Sequence, residues 1–125
     1  MSDPFDNAVA PLPVLDEEQL VSVCGEDRDF EALVVGEFRN ATVSAIAELG
    51  QAIAACDPAR IKAWAHAIKG GSATLGCSAL ARICQELESL ADAEPNWVVA
   101  ETLLAEIQTG YRLLEQALEA RGATA

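Results

Sequence analysis

Residues 96–118, NWVVAETLLAEIQTGYRLLEQAL, decide the fold. Trp97, Ala100, Leu104, Ile107, Tyr111, Leu114 and Leu118 recur at alternating steps of three and four, the spacing that lines one face of a 3.6-residue helix. Asn96 places a side-chain oxygen where the first unpaired N–H groups of that helix need an acceptor. A helix with one long apolar stripe has to bury it, and with no strand-like alternation elsewhere the partners must be other helices.

The same period extends backwards through the chain. Ser78 is expected to cap a helix with the stripe Leu80, Ile83, Cys84, Leu87 and Ala91, ending before Glu94-Pro95. Asp57-Pro58 is a start signal, a capping acid followed by proline in the first turn, for a helix running to Gly76. Its stripe is Ile61, Trp64, Ala65, Ile68, Ser72 and Leu75. A longer helix starts near Asp29, with Phe30, Leu33, Val34, Phe38, Ala41, Ala45, Leu49, Ile53 and Cys56 on its apolar side. A short one spans about 16 to 24, capped by Asp16 and stopped by Gly25. Short connections make sequential helices antiparallel. The predicted fold is therefore all-α, an antiparallel up-down four-helix bundle with a short additional N-terminal helix. Residues 14–120 form the bundle, 1–13 a proline-containing disordered tail, and 121–125 a C-terminal tail.

Composition agrees and excludes several functions. Alanine, a strong helix former depleted in strands, supplies 24 of 125 residues. With 20 acidic against 8 basic residues the formal charge is −12, leaving no basic excess to displace counterions from a nucleic acid. No apolar run approaches the roughly 18 uncharged residues of a membrane span, and the start lacks the basic region of a signal peptide. Cys24, Cys56, Cys77 and Cys84 contain no C-x-x-C pair and fall in or beside apolar helical patterns, so buried free thiols and a cytoplasmic location are expected.

Charge is uneven. Between Pro58 and Gln85 there is no acid, while Arg60, Lys62, Lys69 and Arg82 make the stretch +4, leaving −16 elsewhere. A basic island on an acidic chain suggests contact with an anion or an acidic partner. The only histidine, His66, lies inside it, about 140° around its helix from the apolar stripe and therefore exposed. Ala59, Lys62, Ala63, Gly70 and Ala73 share this outer face, and Lys69 flanks it. An interior helical glycine costs about 1 kcal/mol relative to alanine. Gly70 either clears an approach to the imidazole, or Gly70-Gly71 permits close packing or a kink. Glu88 and His66 are equally far from Cys77, so the two are level, roughly 16 Å from the turn between their helices. The carboxylate would then accept a hydrogen bond from Nδ1 and leave Nε2 as a free nucleophile; otherwise it is a surface acid.

Residues 65–76, AHAIKGGSATLG, followed by Leu80, Cys84, Leu87 and Glu88, resemble the A-H-x-L-K-G-S-S-x-x-L-G...L...C..L-E signature of histidine-containing phosphotransfer (HPt) domains. The similarity spans about residues 14 to 120. Ile68 stands where leucine is usual, and Gly71 where the first serine is usual, which weakens one hydroxyl contact to a phosphoryl group. The resemblance implies that His66 accepts a phosphoryl group from a receiver-domain phospho-aspartate and passes it to another receiver. Lys69 would offset its charge, Gly70 would leave room for it, and Glu88 would orient the ring. Ala59, Lys62, Ala63 and Ala73 would form the floor on which partners dock. The implied partners are response-regulator receivers and a hybrid sensor histidine kinase. A monomeric phosphocarrier without kinase activity is expected, with no cofactor of its own and Mg²⁺ supplied by the receiver.

Other classes fit less well. A di-metal carboxylate bundle needs Glu-x-x-His from two helices, and one histidine cannot supply them. An acyl carrier would need Asp-Ser-Leu at a helix start, and ATP binding a G-x-x-x-x-G-K-[ST] loop; neither occurs. An adaptor that binds receivers without transfer remains open.

Overall fold

The computed structural model describes residues 12–94 and 96–123. Five helices follow one another: α1 (Glu17–Cys24), α2 (Arg28–Ala54), α3 (Pro58–Thr74), α4 (Ser78–Asp92) and α5 (Trp97–Arg121). Their starts are set by side-chain caps. Asp16 accepts from the Gln19 N–H, Asp27 from those of Asp29 and Phe30, Asp57 from that of Arg60, and Asn96 from those of Val98 and Val99. Helix α4 is the exception. Ser78 is its first helical residue and Cys77 holds the cap position, with no side-chain hydrogen bond.

Helices α2 to α5 close into a ring, each packing on its two neighbours, while α1 lies across α2 and α3. Cross-helix contacts run in opposite senses along each pair, as in Lys62–Asp92 and Lys69–Gln85, or Arg39–Glu115 and Arg121–Glu31. This is the antiparallel bundle expected from the short connections. Leu20, Leu49, Ile61, Leu87, Ile107 and Leu114 are among its fully buried side chains. Among the described residues no helix is long and apolar enough to cross a membrane.

The first half of α2 departs from the expected stripe. Phe30 and Leu33 are exposed, as is Ala41, and the buried face runs through Glu31, Val35, Phe38, Thr42 and Ala45. Glu31, 1% exposed, is accommodated because Arg121 donates to its Oε1 at 2.7 Å and Arg28 to its Oε2 at 3.3 Å. These bonds, Arg121's foremost, hold the Glu31 carboxyl below its usual range against the opposing effect of burial. On α5, Leu103 is buried and Leu104 half-buried. All four cysteines are free, but Cys56 is exposed in the α2–α3 turn, where its φ of 52° ends the helical pattern.

The bundle also exceeds the expected boundaries. Arg121 is its last helical residue and Ala123 is buried, while the Pro13 carbonyl accepts from the Ala79 N–H at 3.1 Å. Residues 1–11 and 124–125 lie outside the described residues. The α3–α4 turn depends on Gly76, at φ +84°, whose carbonyl accepts from the Asp16 N–H at 2.8 Å. A Cβ there would stand 2.7 Å from the Asp16 carbonyl oxygen, so only glycine lets α1 settle on this turn.

Candidate functional site

On α3 the buried positions Ile61, Ala65, Ile68 and Ser72 turn the opposite face outward, and His66 stands there with 67% of its side chain exposed. Its Nδ1 lies 3.0 Å from Oε1 of Glu88 on α4. A carboxylate only accepts, so Nδ1 carries the proton and donates. Nε2 has no protein partner among the described residues. The level placement inferred from equal distances to the turn is what the bundle delivers.

Glu88 is largely buried, and its second oxygen, Oε2, is 2.8 Å from Lys69 Nζ. That ammonium, and after it the hydrogen bond with His66, keep the Glu88 carboxyl below its ordinary 4.5 despite burial. One carboxylate thus divides its two oxygens between the imidazole and a lysine. Lys69 also donates to Gln85 Oε1 at 2.9 Å, and Gln85 Nε2 to Ser89 Oγ at 3.1 Å. One turn before His66, Lys62 donates to Asp92 Oδ1 at 2.7 Å, which pushes the lysine pKa up. Sequence reasoning missed Gln85 and Asp92. Gln85 sits one turn before Glu88 on the same edge of α4, a signal that helical spacing alone could have revealed.

Gly70 is exposed, with nothing within 4 Å of where its Cβ would be, whereas a Cβ on Gly71 would meet Phe38 at 3.4 Å. Close packing, one of the two glycine roles left open by the sequence, is seen at Gly71 against Phe38, while Gly70 borders open space. Ala59, Lys62, Ala63 and Ala73 are all exposed on α3. Beside them an apolar groove of about 560 Å³ runs between α1, α2 and α3, lined by Val23, Val34, Phe38, Trp64, Gly70 and Leu75 among others. The basic island is neutralised: Arg60 pairs with Glu48, Lys62 with Asp92, Lys69 with Glu88 and Arg82 with Glu86.

The site is thus a single exposed histidine, held at Nδ1 by a largely buried carboxylate on the neighbouring antiparallel helix. The family model of the Hpt domain matches residues 34–123, well over half of the chain. The chain belongs to the Hpt family. In structure this Hpt protein is similar to histidine-containing phosphotransfer protein B (HptB) from Pseudomonas aeruginosa PAO1. The TM-score is 0.80 at 25% identity, covering 87% of this chain and 94% of that chain. No curated protein matches the sequence. The Hpt protein is a histidine phosphotransfer intermediate of two-component signalling, a phosphocarrier working with receiver domains and histidine kinases.

Proposed function

We propose that His66 Nε2 carries the phosphoryl group, taken from the phospho-aspartate of one receiver domain and passed to the aspartate of another. The observation that carries this reading is the asymmetry of the ring: Nδ1 is held by Glu88 at 3.0 Å and Nε2 faces outward. An imidazole protonated on Nδ1 attacks phosphorus through the Nε2 lone pair. The N–P bond forms as the acyl-phosphate O–P bond breaks, and the aspartate leaves as a carboxylate. Glu88 orients the ring and stabilises the positive charge it gains. Gly70 leaves the approach open, and Lys69 offsets the phosphoryl charge.

Chemistry of this kind is mostly positioning and charge stabilisation, so the chain uses no cofactor of its own, and the receiver supplies Mg²⁺. On this reading the phosphoryl group comes from a partner receiver, and the chain has no kinase activity of its own. Receivers dock on the outer face of α3, over Ala59, Lys62, Ala63 and Ala73, and across the groove toward α1 and α2. The protein acts as a cytoplasmic monomer, drawing on a hybrid sensor kinase and a response regulator.

The test is incubation with a receiver domain phosphorylated on its aspartate. Label should move to this chain, be lost in acid, survive base, and be absent from His66→Gln. A receiver that binds without transferring label would make the chain an adaptor, and acid-labile label retained by His66→Gln would remove His66 from the role.

A further inference from the structure

Lys69 has two partners on α4, and they differ in charge. Its ammonium stands 2.8 Å from the Glu88 carboxylate and donates to the Gln85 amide oxygen at 2.9 Å. An ammonium only donates, so it fixes which end of the Gln85 amide faces it. The amide nitrogen is turned to Ser89 Oγ, 3.1 Å away. Gln85 and Glu88 are one turn apart on α4, and Lys69 is one turn from His66 on α3, so amide and carboxylate fork around a cation that neighbours the reacting ring.

Phosphoryl transfer changes what this cation sees. When Nε2 forms the N–P bond, Nδ1 keeps its proton, so the ring becomes a cation hydrogen-bonded to Glu88 while the phosphoryl oxygens carry negative charge. Glu88 then has imidazolium in place of ammonium as its counter-ion, and Lys69 is free to follow the new anion. A neutral amide can hold the ammonium through that exchange without becoming a third anion competing for it.

We propose that Gln85 is a positioning residue of the phosphotransfer site, keeping Lys69 beside His66 as its ammonium passes from Glu88 Oε2 to the phosphoryl group on Nε2. The proposal rests on His66 as the phosphoacceptor.

The test uses the full chain with phosphoramidate as a small donor, which forms the same N–P bond while releasing ammonia and needs no partner protein. Phosphohistidine formation is followed by ³¹P NMR. Gln85→Ala should slow labelling about three- to tenfold, the worth of one ordinary hydrogen bond, with an unchanged melting temperature because Gln85 is exposed. Gln85→Glu should also be slower than wild type, because its added charge keeps Lys69 from the phosphoryl group. In a Lys69→Ala background, Gln85→Ala should have no further effect. Wild-type rates in Gln85→Ala, faster labelling in Gln85→Glu, or an undiminished effect without Lys69 would each overturn the proposal while leaving His66 as acceptor. A wild-type chain that takes no label at His66 would overturn both readings.

Discussion

Gly70 and Gly71 are neighbours with unlike duties, and substitution separates them. A methyl group at Gly70 meets open space, so Gly70→Ala should stabilise the protein by about 0.5–1 kcal/mol, the usual gain of alanine over an interior helical glycine. Gly70→Gln should retain the native circular dichroism while slowing transfer from a receiver at least tenfold, because its longer side chain stands one turn from His66. Transfer at the wild-type rate would show that clearance is not what this glycine provides. The His66–Glu88 pair was legible from the sequence because a tight turn between two helices converts equal separation into equal height. The sharing of Glu88 with Lys69, and of Lys69 with Gln85, was not. Lysine reach and amide orientation are settled by three-dimensional neighbours rather than by spacing.

At the scale of the helices, the misread half of α2 has an instructive cause. Choosing Phe30 and Leu33 for the core follows hydrophobicity, yet the buried face passes through Glu31 and Thr42, which a search for apolar periodicity skips. Glu31 is tolerated chiefly because Arg121, beyond the boundary expected for the bundle, arrives from the far end of the chain to join Arg28. Arg121→Met should cost about 3 kcal/mol, the lower end for stranding one partner of a buried pair, since Arg28 still reaches Glu31. The pH dependence has a definite sign. A carboxyl depressed in the folded state stabilises above its unfolded pKa of roughly 4.5, and the contribution fades as pH falls through the folded value. Without Arg121 that depression shrinks or reverses, so urea midpoints of wild type and Arg121→Met should draw together as pH falls below the ordinary carboxyl value. A gap constant from pH 7 to pH 3 would refute the assignment. The α1–turn contact through Gly76 was also hidden, because the sequence marks Gly76 as a helix end without saying what rests on it.

For the whole molecule, a charge count along the chain omits the acids that folding brings beside the cations. Each cation of residues 58–85 is paired within the chain, three with acids from other helices. Among the described residues Arg112 is the one basic side chain without an acidic partner within salt-bridge distance, on a protein of net charge −12. The face around His66 is therefore one of small and apolar side chains over internally balanced ion pairs. Association with an acidic receiver should accelerate or stay constant as ionic strength rises from about 10 to 150 mM, because salt screens a net repulsion. Stopped-flow association rates that fall steeply over that range would show that a basic patch steers docking after all.

The cross-helix pairs of the site are short-range along the chain. Lys62–Asp92, His66–Glu88 and Lys69–Gln85 span 30, 22 and 16 residues, whereas Arg39–Glu115 and Arg121–Glu31, which close the ring, span 76 and 90. Loop-closure entropy favours the nearer contacts, so the α3–α4 hairpin should assemble in the folding transition state before α5 returns to α2. In urea chevrons Ile68→Val should mainly slow refolding, and Arg121→Met mainly hasten unfolding. The reverse partition would place the nucleus elsewhere. If the hairpin does lead, the phosphotransfer site is among the first parts of this protein to take shape, and damage to the ring closure would shorten the lifetime of the native state without slowing its formation.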